Sequence, residues 1–379
     1  VCKCEGCTIA LFDYLRGCHG GETRMLRFSN FLFPESRDPD RDADVIADCV
    51  AEAKLCDQLG VEVLWLAEHH FDGNCAYVDP VTFAAAILAA TKRIKVGFAV
   101  AQVSLHHPMR LAEQMSLLDN LGKGRVIVGL GRGTAYNVYE YQGYGIPHEE
   151  AGERYEEAEG IMLKAWTSPQ GFRHEGKHWT LNVPRLRPTP FTKPHPYLIR
   201  AASSEDGAQH LARRGLPFLM NVQSNETTAK RLAAYRTTMT EAGFDAAHVA
   251  RCMDESWVWR NVVVAETDEE ARRIGIPAFE AMQEHRKKLR ERIYAEQGII
   301  MKKETVPPAR VNPDLALFAG SPDTVAARMA EIEATGVGGV ICSFRLGPMP
   351  AEVAARSIRL FMEQVAPRFA AARVQAAAE

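Results

Sequence analysis

The chain reads as an α/β protein folded as a closed (β/α)8 TIM barrel. Three observations predict this. Eight short apolar runs recur along the 379 residues, each followed by a stretch with helical spacing. The runs are nearly continuous in apolar residues, as expected of strands covered on both faces. From Met25 onward no low-complexity linker, short-period repeat or shift in composition divides the chain. An open doubly wound sheet is the alternative arrangement of the same βα units.

The elements follow in order. Leu26–Phe33 reads as the first strand. Asp42–Leu59 carries Ile46, Cys49, Val50, Ala53 and Cys56 at helical spacing, and Gly60 ends it. Val61–Ala67 is a strand, and Pro80–Thr91 an Ala-rich helix. Ile94–Val100 is a strand, Pro108–Leu121 a helix that starts on proline, and Arg125–Leu130 a strand. Glu149–Trp166 is helical, and Phe172–Leu181, with Gly176 at its centre, predicts a surface hairpin. Tyr197–Ala201 is a strand and Ser204–Arg214 a helix closed by Gly215. Phe218–Val222, a strand, precedes the helix Glu226–Ala242. Trp257–Ala265 is a strand, and Asp268–Gln297 is mainly helical and strongly charged. Pro322–Thr335 is a helix, Gly339–Phe344 the last strand and Ala351–Val365 the closing helix.

Composition excludes several classes. Lys+Arg is 45 and Asp+Glu 48, a net charge of −3, which removes the electrostatic case for nucleic acid or a polybasic membrane contact. No apolar run approaches the roughly 20 residues of a membrane span. The first residues lack a secretory pattern, so a cytoplasmic protein is expected. Of 9 cysteines, Cys2, Cys4, Cys7 and Cys18 crowd the first 18 residues. A zinc site built on Cys4, Cys7, Cys18 and His19 lacks a second well-spaced pair. Residues 1–24 are instead expected to be an extension outside one barrel domain, 25–379. The other five cysteines fit buried thiols.

In a barrel the chemistry lies beyond the C-terminal ends of the strands. After the second strand come Glu68, His69 and His70. They are candidates for acid–base work, cofactor contact or metal ligation, with a structural, hydrogen-bonded histidine as the alternative, and adjacent strand residues point to opposite faces, so at most one imidazole of the pair readily enters a central pocket. After the fourth strand, Arg132 stands between Gly131 and Gly133. Glycines admit a close ligand and the guanidinium offers a fork to phosphate. Ser203, Ser204 and Gly207 open a helix after the fifth strand, a site for an anion or an ordinary cap. His106 and His107 belong to a loop or helix cap near the same mouth. Lys287, Lys288, Arg290 and Arg292 read as a solvated helix face, and Ile299–Pro313 as a loop over the mouth.

The segments MLRFSNFLF, GVEVLWLAEHHF, HHPMRLAEQMSLLDNLGKGRVIVGLGRG, ARRGLP and ATGVGGVICSF together resemble the bacterial luciferase-like flavin monooxygenases, in order from Met25 to about Pro367. The resemblance implies a (β/α)8 barrel that dimerises, accepts reduced FMN (FMNH2) from a separate NAD(P)H:flavin reductase, and reacts it with O2 through a flavin C4a-peroxide. It implies that His69 is catalytic, with Glu68 and His70 beside it. Ala99 and Val100 would lie against the isoalloxazine at a cis peptide. Arg132, Arg154, Ser203, Ser204 and Gly207 would hold the FMN phosphate, and residues 285–312 would form a mobile loop over the flavin. The chain has Gly131 where luciferase has a reactive cysteine, and Ser203 where it has an acidic residue. Light emission is therefore not expected. The expected reaction is insertion of one oxygen into a small organic substrate, with no metal. Rival readings are a deazaflavin-dependent hydride-transfer enzyme, a non-catalytic flavin-binding subunit and a metal-dependent hydrolase. The apolar helices Pro80–Thr91 and Pro108–Leu121 would face a second subunit or pack on the barrel.

Overall fold

The computed structural model describes residues 25–134, 137–300 and 308–370. Residues 1–24, with the cysteine cluster of the zinc reading, lie outside them.

Eight parallel strands close a barrel. They are β1 (Arg27–Leu32), β2 (Val63–Leu66), β3 (Lys95–Phe98), β4 (Val126–Gly131), β5 (Tyr197–Ala202), β6 (Phe218–Met220), β7 (Trp257–Val264) and β8 (Gly339–Ser343). The register runs Asn30↔Leu64, Trp65↔Gly97, Gly97↔Ile127, Leu130↔Arg200, Ala201↔Leu219, Leu219↔Trp257 and Trp257↔Gly339, and Ser29↔Ile341 returns it to β1. The (β/α)8 expectation therefore holds and the open-sheet alternative fails. Strands such as VLWL and VIVGLG are buried at every residue, because the barrel interior covers one face and the helices the other.

The helices carry their own start and stop signals. Asp79 accepts from the amides of Val81 and Thr82 ahead of Pro80–Ala90. Ser224, Thr267 and Ser321 cap their helices in the same way. Gly60, at φ 80°, ends Asp42–Leu59 in the left-handed conformation. The five cysteines among the described residues are free and buried.

Several elements differ from the sequence expectation. The stretch after β4 forms a short helix, Val138–Gly143. A helix Ala246–Glu255 precedes β7. A four-residue strand, Leu317–Gly320, adds to the second half of β7 and leads into Pro322–Glu333, so the last crossover contains an extra βα unit. Only four residues long and half Ala/Gly, it shows no alternation to read. The helix Asp268–Gln297 has the predicted bounds and runs unbroken through 285–297, where the family resemblance implied the start of a mobile loop. Pro308–Val311 and Pro313–Ala316 are short helices, and residues 301–307 lie outside the described ones. The closing helix, Ala351–Leu360, continues into a π-turn at Phe361–Val365.

The barrel interior is filled by two tryptophans that need glycine neighbours. Trp65 and Trp257 are buried, with ring centroids 5.6 Å apart, and the Trp65 indole donates to Ser29 Oγ at 2.9 Å. Each indole lies over the strand position paired with it. A Cβ on Gly97 would sit 2.4 Å from Trp65, and one on Gly339 2.2 Å from Trp257. Gly97→Ala and Gly339→Ala are each expected to cost about 2–3 kcal/mol in urea unfolding. Gly160→Ala is expected to add about 0.5–1 kcal/mol, because it lies in an exposed helical turn with nothing within 4 Å.

Candidate active site

Two carboxylates that the barrel buries organise the strand ends. Glu68, three per cent exposed, follows β2. Its Oε1 lies 2.9 Å from His70 Nε2 and 2.7 Å from His106 Nε2, and its Oε2 accepts from the Gln102 amide at 2.6 Å. Burial works against its charge, but these hydrogen bonds and the nearby His106 hold it down at about 2. Glu140, fully buried on the helix Val138–Gly143, faces His69 Nδ1 at 3.0 Å and accepts from the His70 amide at 3.1 Å. Gln102 ties the two together: its Nε2 donates to the Glu68 carbonyl at 2.8 Å and to Glu140 Oε2 at 3.0 Å.

The adjacent histidines part company. His70 is buried between Glu68 and the Tyr144 hydroxyl, 3.2 Å from its Nδ1. His69 is half-buried and enters a cavity of about 120 Å³, with Phe33 edge-on at 5.3 Å. Burial opposes a proton on His69, but the hydrogen bond and charge of Glu140 outweigh it and raise its pKa above 6.5. With Nδ1 held by Glu140, Nε2 is left for the cavity. His106, read from sequence as a loop or cap residue, is instead a partner of Glu68. Burial disfavours its charge too, and Glu68 raises its pKa in the same way. His107 takes the cap position without a side-chain bond.

Two further parts of the rim lie on neighbouring strands. The Ala99–Val100 peptide, at the end of β3, is cis. Gly131, at the end of β4, is pressed on Val100, where a Cβ would lie 2.3 Å from Val100 Cγ2. Gly133 has φ 91° and no room for a Cβ, since Gln102 Oε1 would be 2.2 Å away. Between these glycines Arg132 is exposed. Its Nη1 lies 4.0 Å from the Cβ position of Gly152, in the first turn of the helix Ala151–Thr167. Arg154, on that same turn, gives its Nε to Glu150 at 2.9 Å and lies 5.6 Å from the Trp179 ring. The Leu130↔Arg200 register sets Arg132 beside the end of β5, from which Ser203 and Ser204 follow, both exposed. Ser204 Oγ accepts from the Gly207 amide at 3.1 Å and starts the helix Glu205–Arg213. A guanidinium beside a helix N-terminus that carries two exposed serines, Ser204 as its cap, is a donor set suited to a phosphate dianion.

Sequence reasoning missed Glu140, Gln102, Phe31, Phe33, Tyr139, Trp259 and Arg286. Glu140 follows a glycine-rich turn in a stretch that showed no period. Phe31, Phe33 and Trp259 lie inside recognised strands, where they read as core, and Tyr139 lies beside Glu140 in the same aperiodic stretch. Arg290, expected on a solvated face, lines the cavity instead, whereas Lys287, Lys288 and Arg292 are exposed. Among the described residues no group of three or more His, Cys, Asp or Glu is placed to hold a metal ion, and no helix is long and apolar enough to cross a membrane.

Residues 26–339 match the model of the luciferase-like monooxygenase family. The chain belongs to that family. The alkanal monooxygenase alpha chain of Photorhabdus laumondii subsp. laumondii is 27% identical over 231 residues, 60% of this chain and 63% of that one. The curated relatives matched first are covered over 48% to 63% of their own length. Among solved structures, the monooxygenase RslO1 of Streptomyces bottropensis is 26% identical with a TM-score of 0.75, over 91% of this chain and 100% of that one. The oxygenating constituent of 3,6-diketocamphane monooxygenase from Pseudomonas putida, solved in complex with FMN, shares the fold at 22% identity, with a TM-score of 0.72 over 90% of this chain and 98% of that one. An F420-dependent secondary alcohol dehydrogenase shares it at 16% identity, with a TM-score of 0.66 over 90% and 98%.

The pKa directions give the site a definite pH signature. The depressed Glu68 carboxyl contributes stability that is complete above about pH 4.5 and is lost as pH falls toward about 2. The raised His106 contributes stability that is complete below about pH 6.5 and is lost as pH rises through its folded value. Glu68→Gln is therefore expected to be less stable than wild type at pH 5, and the gap to narrow by about 3 kcal/mol by pH 2 in urea unfolding. A gap independent of pH contradicts this role.

Proposed function

We propose that the chain is the oxygenating component of a two-component monooxygenase. It takes reduced FMN from a separate NAD(P)H:flavin reductase and uses O2 to place one oxygen in a small organic substrate. The observation that carries this reading is the position of His69. Its imidazole is held by a buried carboxylate and opens on an aromatic-walled cavity, on the same rim as the Arg132 and Ser204 anion cradle.

When bound, reduced FMN supplies the electrons that activate O2. The residues present fit that group. Arg132, Ser203 and the amides of the helix starting at Glu205 would hold the phosphate, with Arg154 on the adjoining helix turn. Ala99 and Val100, pressed on Gly131, would give the flat ring system a floor that approaches closely because Gly131 has no side chain. His69 would hold or move a proton at Nε2, and the Glu140 carboxylate beside the ring favours its protonated form against burial. Glu140 orients that ring and Gln102 fixes Glu140. Phe31, Phe33 and Trp259 keep water from the cavity wall.

The relatives' names support an oxygenase, and the alkanal, Baeyer–Villiger and F420 examples show how much chemistry one fold carries. The family resemblance also brings a homodimer. The helix Pro108–Gly122 exposes Leu117 and Leu121, one turn apart, as a face for it. A particle of one chain's mass in sedimentation equilibrium contradicts that assembly.

The test is anaerobic titration with photoreduced FMN, then rapid mixing with O2. The protein is expected to bind reduced FMN and to slow its reoxidation. His69→Asn is expected to keep binding within about threefold and to lower product yield at least 100-fold. Unchanged yield points to the non-catalytic subunit reading. Turnover with a deazaflavin that ignores O2 points to hydride transfer.

A further inference from the structure

The helix N-terminus in the phosphate cradle is already compensated by acids of its own. Glu205 and Asp206 occupy the first turn of the helix that Ser204 caps, and both are exposed. They complement the positive end of the helix and oppose a phosphate placed there. The nearby basic residues are partly engaged. Arg154 gives its Nε to Glu150 at 2.9 Å. Arg200 and Arg214 answer the buried Glu159, with Arg200 Nε at 2.8 Å and Arg214 Nη2 at 3.9 Å. That leaves the charge of Arg132 to offset two exposed carboxylates and an incoming dianion.

Two more guanidiniums stand on the other flank of Ser203. In the strand order β4, β5, β6, Arg132 follows β4 and Ser203 follows β5. Arg231 comes from the helix after β6, Asn225–Glu241. Its Nη1 donates to the Ser203 carbonyl at 3.3 Å, which seats the guanidinium against the loop. Asn221 Nδ2 reaches the same carbonyl at 3.5 Å, and the buried Gln223 donates to Asn221 Oδ1 at 2.9 Å. The loop is thus held from the β6 side, and Arg231 has further N–H donors beyond the one it spends there. Arg310, half-buried on the short helix Pro308–Val311, is tied at its carbonyl by Gln283 Nε2 at 3.1 Å. Burial lowers the Arg231 pKa; Glu205 acts against that, and the charge of Arg310 adds to it. Among the described residues neither Arg231 nor Arg310 forms an ion pair within 4.0 Å. Two guanidiniums whose charges oppose each other are stabilised by an anion that both reach.

We propose that Arg231 and Arg310 complete the phosphate site from the β6 side of Ser203 and make the chain select FMN over the same flavin without its phosphate. The inference deepens the oxygenase reading and rests on it for the identity of the anion. Arg132 and Arg231 then hold the phosphate from the two strands that flank β5, and Arg310 adds a contact from a separate crossover. Guanidinium bonds to phosphate oxygens are short, forked and charge-assisted. Their loss therefore acts on the phosphate-bearing ligand and spares one that lacks the group.

The experiment measures binding, not turnover. Photoreduced FMN and photoreduced riboflavin are titrated anaerobically into the full chain, and both dissociation constants are read by calorimetry. Wild type is expected to prefer FMN by at least about tenfold. Arg231→Gln is expected to weaken FMN at least about tenfold and riboflavin by less than about twofold, and Arg231→Lys to restore part of the loss. Arg310→Gln is expected to weaken FMN about fivefold, again sparing riboflavin. A thermal midpoint close to wild type shows that the variants are folded. If either Gln variant leaves FMN affinity unmoved, the proposal is overturned. Equal weakening of FMN and riboflavin overturns it too, because the arginine then supports the shape of the site instead of binding phosphate. Either result, with the wild-type preference intact and removed by Arg132→Gln, leaves the cradle and the oxygenase reading standing. Wild type that binds the two flavins equally, or binds neither, overturns the FMN reading together with the proposal.

Discussion

Two carboxylates with almost no access to water, Glu68 and Glu140, hold the strand ends together. An ionised carboxylate away from water is tolerated only when its oxygens are taken by donors. Here three imidazoles, two backbone amides and one side-chain amide do so. The requirement works in both directions. The donors fix the acids, and the acids fix the rings, so His69 has one orientation available at the cavity wall. Because Gln102 reaches both carboxylates, the ends of β2 and β3 and the helix Val138–Gly143 behave as one unit. Tyr141, on that helix, donates its hydroxyl to the Arg132 carbonyl and extends the unit to the phosphate cradle.

The same logic of filling and omission runs through the barrel beneath. Trp65 and Trp257 occupy the interior because their paired neighbours, Gly97 and Gly339, withhold side chains. The strands can then end in register, and the rim residues inherit their positions from that register. Gly131 repeats the device at the rim, where its missing side chain accommodates Val100.

The fold was legible because its signals are local. Buried parallel strands appear as short apolar runs, and helices announce themselves by caps, as at Asp79 and Gly60. Glu68, His69 and His70 were legible as a concentration of titratable groups at a strand end, and the two-residue period allowed at most one of the two imidazoles into the cavity without telling which. Glu140 was not legible, because its role exists only once a short, aperiodic helix folds back over β2. Arg290 misled for the opposite reason. Its neighbours Lys287, Lys288 and Arg292 are solvated, and one sequence does not tell which turn of a 30-residue helix faces the mouth. The strand Leu317–Gly320 was missed because four residues ending in Ala-Gly carry no period, and only pairing with β7 defines it.

The account turns on the claim that Glu140 sets the charge and orientation of His69. NMR titration of the His69 ring, compared between wild type and Glu140→Gln, tests it most directly. The account predicts a wild-type value above 6.5 that falls below it in the variant, because burial then acts on the ring without a counter-charge. A wild-type value below 6.5, or one unmoved by the substitution, would contradict it.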